Sequence, residues 1–164
     1  MSRNAIGAAL AALALTLAAC GGGDDEQPAA AATDATVSVA QVDGVGSVLV
    51  DRSGKALYTA EQESDGMIRC RGGCLALWLP LEASGTPTGS DDVTGELGTV
   101  KRPDGAMQVT HDGMPLYRFA EDAGPGKVTG DGVSDSFDGT AFTWHAATTA
   151  GTSTGGGSGR SYGY

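Results

Sequence analysis

Apolar and polar positions divide this chain into four stretches of different character. From Ala5 to Ala19 every residue but Thr16 is Ala, Leu, Ile or Gly, and the run ends abruptly at Cys20-Gly21-Gly22-Gly23-Asp24-Asp25-Glu26. Residues 21–36 hold mainly Gly, Asp, Ala, Gln, Pro and Thr, with no apolar period, a composition that favours a flexible spacer. From 37 to 149 short apolar runs alternate with Gly-rich turns, the pattern of a mainly β domain. Residues 150–164 are Gly, Ser and Thr with few apolar side chains and are expected to be a disordered tail.

The central stretch repeats itself at a fixed offset of 59. Gly46, Val50, Gly54, Leu57 and Tyr58 recur as Gly105, Val109, Gly113, Leu116 and Tyr117. Each copy reads as a β-hairpin: an apolar strand, a turn at Arg52-Ser53-Gly54 or His111-Asp112-Gly113, and a second strand ending in Leu-Tyr. Asp-Gly is a favoured two-residue hairpin turn because both positions tolerate positive φ. Pro103-Asp104-Gly105 supplies a further turn between Leu97–Lys101 and Ala106–Thr110, and a last strand is expected at Ala141–Ala147. A short helical or irregular segment is expected around Cys70–Trp78. The fold class is therefore a single small, mainly β domain of two related hairpin repeats. About 113 residues suffice for one modest core.

In an extended Tyr117–Asp122 segment, Tyr117 and Phe119 share one face and Leu116, Arg118 and Ala120 the other. The aromatic face is expected to point into the core, together with Trp78 and Trp144. Asp122 lies at an odd offset from Tyr117, so it is expected to leave that face, end the strand and bond its own backbone in the turn that follows. The first copy keeps Tyr58 but has Ala60 in place of the second aromatic and Glu63 in place of the aspartate. Tyr117-x-Phe119-x-x-Asp122, the paired Gly-x-x-Leu-Tyr segments and Cys70-x-x-x-Cys74-x-x-x-Trp78 resemble the bacterial lipoproteins with the Yx(FWY)xxD motif, a secreted repeat of unknown function. The resemblance runs from about Gly46 to Trp144. It implies family-motif roles for Tyr58, Tyr117, Phe119 and Asp122, and no settled molecular activity.

The start of the chain sets the expected compartment. A basic Met1–Asn4 start, a 15-residue apolar middle and small residues before Cys20 describe a signal peptide too short to span a bilayer, which needs roughly 20 apolar residues. Leu17-Ala18-Ala19-Cys20 resembles the bacterial lipobox, in which the cysteine sulfur takes a diacylglyceryl group and the leader 1–19 is removed. Cys20 is thus the expected lipidation site, 20–36 a tether, and 37–149 the folded domain. The protein would then be held by its lipid on the cell membrane or outer membrane, facing away from the cytoplasm and without spanning the bilayer. Loss of Arg3 with the leader leaves nine basic against 20 acidic residues, a net charge of −11. Nucleic acid is excluded as a partner, because the chain offers no basic face.

Candidate chemistry is sparse. With Cys20 lipidated, Cys70 and Cys74 remain in an oxidising compartment. They read as a structural disulfide around Arg71-Gly72-Gly73, or as a redox-active or metal-binding pair whose thiolate Arg69 and Arg71 would favour. His111, His145, Met67, Met107 and Met114 add soft ligands suited to copper, although His111 in its tight turn is expected to be exposed. The Asp131–Gly139 stretch could offer carboxylates to calcium but lacks the EF-hand order. No serine or threonine is placed beside a base. The expectation is a non-catalytic binding or structural lipoprotein with no cofactor, no metal and an unknown partner. The alternative is an envelope redox or copper protein using Cys70/Cys74.

Overall fold

The computed structural model describes residues 35–151 with their side chains and the backbone of 152 and 161–163. Cys20, the leader 1–19 and most of the 20–36 tether lie outside these residues. The domain is mainly β, as the pattern of runs and turns implies, with two single 3-10 turns at Glu61–Glu63 and Gly72–Ala76. In chain order the strands are β1 (Val37–Val42), β2 (Gly46–Asp51), β3 (Tyr58–Ala60), β4 (Trp78–Pro80), β5 (Leu97–Lys101), β6 (Met107–His111), β7 (Met114–Pro115), β8 (Tyr117–Phe119), β9 (Ser134–Phe137), β10 (Thr140–Thr148), β11 (Gly151–Thr152) and β12 (Ser161–Gly163). The larger sheet runs β1-β2-β10-β3-β8-β4, with β9, β11 and β12 attached, and the smaller runs β5-β6-β7.

The turn chemistry locates the hairpins. Asp112 and Gly113 take φ of 49° and 79°, the paired positive values of a type I′ turn, and set His111 opposite Met114. The β5–β6 hairpin closes around Pro103-Asp104-Gly105 with Lys101 opposite Met107. The hairpins do not, however, end in Leu-Tyr. Only Ala56 bridges Val50 in the first copy, and only Met114 and Pro115 pair with β6 in the second. The chain then crosses over, and Tyr58 and Tyr117 begin new strands that lie directly opposite one another. Within the stretch read as a tail, β11 pairs with β10 and β12 runs parallel to β9.

The duplication is three-dimensional. The Tyr58–Tyr117 pair marks a local two-fold axis, and on either side the strands correspond: β1 with β5, β2 with β6, β3 with β8 and β10 with β4. Trp144 lies opposite Ala60 on β3, as Trp78 lies opposite Phe119 on β8. Beyond the tryptophans, Ala147 N–H donates to Leu57 O and Leu81 N–H to Leu116 O. The correspondence exposes an exchange. β4 follows the first copy in sequence yet pairs with β8 of the second, whereas β10 follows the second copy and pairs with β3 and β2 of the first. Each copy gives its last strand to the other.

Strand alternation sorts side chains onto two faces. One buries Tyr58, Trp78, Tyr117, Phe119, Phe137, Phe142 and Trp144 around the Cys70–Cys74 disulfide, so all three Phe, both Trp and two of the four Tyr are concentrated in one cluster. The two indoles stack across the axis at 3.8 Å and 10°. Each also meets a tyrosine edge-on, Tyr58 with Trp78 at 5.5 Å and Tyr117 with Trp144 at 5.2 Å; such pairs contribute about 0.5–1.5 kcal/mol beyond area burial. Gly130 lies against this cluster. A Cβ there would fall 2.9 Å from both the Trp78 and Tyr58 rings, so any larger residue would displace them. The opposite face packs Val37, Leu49, Leu57, Leu81, Val109, Leu116 and Ala147.

Because each core is completed by the other copy's strand, a segment of residues 97–152 made alone should stay unfolded as a monomer or assemble as a dimer. Sedimentation and amide-proton dispersion would check this; a folded, stable monomer would contradict the exchange.

Candidate functional site

The motif residues converge on the aromatic face, where the structure adds acids whose roles were not evident from the pattern. Tyr58 Oη donates to Asp122 Oδ2 at 2.6 Å, and Tyr117 Oη donates to Glu63 Oε2 at 2.7 Å. Each acid lies five residues beyond the tyrosine of its own copy and binds the tyrosine of the other. Glu63, which departs from the motif as an aspartate position, therefore occupies the equivalent place with one more methylene. It is fully buried, and its Oε1 accepts the backbone N–H of Arg69 at 2.5 Å and of Cys70 at 2.6 Å, so this carboxylate also positions the disulfide segment.

Asp122 corrects the expectation that it faces its own turn. β8 ends at Phe119, the chain bends, and alternation no longer governs the side chain. The carboxylate enters the core, 2 % exposed, and its Oδ1 accepts Thr129 N at 2.9 Å and Thr129 Oγ1 at 2.7 Å. A third acid serves both copies at once: Asp135 accepts the Trp78 indole N–H at 2.6 Å and the Trp144 indole N–H at 3.1 Å on separate oxygens. Asp131, also from the candidate calcium stretch, accepts Ala146 N at 2.9 Å. That stretch thus directs two carboxylates at different core donors. Buried polar groups need such partners, since an unmet one costs about 1–3 kcal/mol.

Burial, and then the adjoining carboxylate, pushes the Tyr58 and Tyr117 phenols well above their ordinary range. For Tyr117 the nearby Arg102 acts in the opposite direction. Burial also raises the Asp135 carboxyl, against the two indole N–H bonds that favour its ionised form. The two phenols are thus held neutral, donating to Asp122 and Glu63, and all three groups are buried, without the exposure that a nucleophile or base acting on a ligand needs.

Cys70 and Cys74 are bonded to each other and fully buried. Arg102, 3 % exposed, ties this segment to β6 by donating to Cys70 O at 2.9 Å and to Gln108 Oε1. The copper candidates do not assemble with the sulfurs. His111 is buried, contrary to the exposed position expected of a turn residue, because its imidazole turns inward and Nε2 lies 2.6 Å from Thr94 O. His145 Nε2 pairs with Glu61 at 2.7 Å, while Met67 and Met107 are exposed. Among the described residues, no three His, Cys, Asp or Glu side chains group so as to hold a metal ion.

The open face is different. A groove of about 610 Å³ lies between the Asp51–Ser53 turn and the Leu79–Pro87 segment, with Arg118 in its lining. Arg118 lies opposite the aromatic face, as strand alternation implies, and nothing in the residue pattern marks it as a site residue.

Residues 98–148 match the model of a family described as a secreted repeat of unknown function, in agreement with the resemblance the motifs imply. The matched span runs from β5 to the end of β10, which is one copy of the duplication. No curated protein and no solved structure matches the chain. No helix among the described residues is long and apolar enough to cross a membrane.

The raised phenols carry a pH signature. Both stay protonated in the fold while unfolded tyrosine ionises near pH 10, so the unfolded chain sheds protons first and stability falls as pH rises past 10. Each phenol contributes a slope of about 1.4 kcal/mol per pH unit there. Denaturant titrations from pH 9 to 11.5 should show this fall, and Tyr117→Phe should reduce the slope by one phenol's share; a flat profile would contradict the assignment.

Proposed function

We propose that this protein is a lipid-anchored lipoprotein of the cell envelope whose duplicated domain is a non-catalytic binding module. The observation that carries the reading is the commitment of its reactive-looking groups to one another. The acids of the aromatic face accept from tyrosine, threonine, indole and backbone donors, and the two cysteines form a buried disulfide. What remains accessible is a surface groove, which suits recognition. The secreted character of the matched family supports a location outside the cytoplasm, and the Cys20 lipobox supports attachment there by acyl chains.

The buried disulfide favours a structural over a redox role for Cys70 and Cys74. Its sulfurs have no solvent exposure, and thiol–disulfide exchange requires access. Glu63, Arg102 and the aromatic cluster hold the segment closed around it. This stands against the envelope redox or copper alternative, in which the two sulfurs would be available as thiolates.

Two experiments test the proposal. Labelled palmitate should enter the wild-type protein and not a Cys20→Ser variant, which should also leave the membrane fraction. Alkylation after mild reductant under native conditions should leave the mass unchanged, with both thiols modified only after unfolding. Absence of lipid label would overturn the anchor, and ready native reduction, or stoichiometric copper retained on purification, would favour the redox or metal reading.

A further inference from the structure

Alternation sends Arg118, like Ala120, away from the aromatic core, and Arg118 lines the groove with its donors poorly met. Its Nε is buried without any hydrogen-bond partner. The nearest carboxylate, Asp51 Oδ2, stands 3.6 Å from Nη1, beyond the 2.7–2.9 Å of a charge-assisted bond. The other oxygen of Asp51 fixes its position: Oδ1 accepts Ser53 N at 2.8 Å, Ser53 Oγ at 2.6 Å and Lys55 N at 3.1 Å, which leaves Oδ2 facing Arg118 at a distance. Nor does the duplicated architecture require an arginine, since the equivalent position of the first copy is Thr59. A guanidinium presents its donors in a planar fork that matches a carboxylate at two points. Around it the groove has apolar walls from Leu79, Pro80 and Pro87, a second cation at Arg52 and a second acid, after Asp51, at Glu82, and Leu79 and Arg52 are both exposed.

We propose that this groove binds a small ligand with an apolar body and a carboxylate, the carboxylate seated on the Arg118 guanidinium and the body against Leu79, Pro80 and Pro87. Arg52 adds attraction at the rim, on a chain that is otherwise acidic. Asp51 competes with the ligand for Arg118, so the site is electrostatically restrained in its empty form. This assignment deepens the binding role proposed above and rests on it.

The test is calorimetric titration of the full chain with N-acetyl-leucine and, in parallel, with N-acetyl-leucinamide, which keeps the apolar body and removes the charge. Saturable binding of the carboxylate, at least about tenfold tighter than of the amide, is expected for a charge-assisted bidentate contact. Arg118→Lys, which keeps the charge but loses the fork, should weaken binding about tenfold. Asp51→Asn retains the oxygen that caps the turn and removes the competing charge, so it should tighten binding. The asparagine variant keeps the test decisive if the lysine variant folds poorly. No saturable binding, equal binding of the amide, or indifference to Asp51→Asn would overturn the site. These outcomes are separate from palmitate labelling: a lipidated chain that fails to bind loses this site and keeps its anchor, whereas a binding chain without lipid does the reverse.

Discussion

Two tyrosine hydroxyls buried on one sheet face each require a hydrogen-bond acceptor, and in this fold each finds a carboxyl oxygen in the opposite copy. Tyr58 reaches Asp122 and Tyr117 reaches Glu63, so neither copy can satisfy its own core. A hydrogen bond to a charged group contributes about 1.5–3 kcal/mol net, while the same carboxylate left buried and unmatched costs several. The penalty for separation therefore exceeds the gain from any single contact. The strand exchange acts in the same direction. β10 and β4 cross to the other copy and bring Trp144 and Trp78 into a stack over the axis, where Asp135 accepts both indoles.

This arrangement explains a departure in the sequence. Ala60 and Glu63 weaken the motif in the first copy if they are judged by residue identity. In the fold, Ala60 lies opposite Trp144, and Phe119 lies opposite Trp78. Glu63 keeps the acceptor function by another route, reaching Tyr117 and two backbone N–H groups. The two copies have diverged in the residues that fill space and retained the exchange of donor and acceptor. A match to the secreted-repeat family over residues 98–148 covers one copy in sequence, although that copy's core is assembled with strands from both.

Much of this was legible along the chain. Glycine-punctuated apolar runs gave the β class, Asp112-Gly113 gave a true hairpin turn, and the offset of 59 gave the duplication. Alternation placed Tyr117 and Phe119 together and Arg118 opposite. What the chain concealed was everything dependent on leaving a regular strand. Asp122 was read through strand alternation, which ends with β8, and His111 was read as exposed because turn residues usually are. The destination of β10 and β4 was hidden because strand pairing is nonlocal: no residue in Trp78-Leu79-Pro80 states which copy it joins. Asp135 carried no signal beyond lying in an acidic loop, and the poorly met donors of Arg118 emerge only when the groove around it is assembled.

The exchange is tested most directly by double-mutant cycles in equilibrium unfolding, with Tyr58→Phe and Tyr117→Phe each combined with Asp122→Ala and Glu63→Ala, which remove the acceptor oxygens. Coupling of about 1 kcal/mol or more is expected for Tyr58 with Asp122 and for Tyr117 with Glu63, as for contacting residues, and near zero for Tyr58 with Glu63 and Tyr117 with Asp122. Coupling confined to the within-copy pairs, or spread equally over all four, would contradict it.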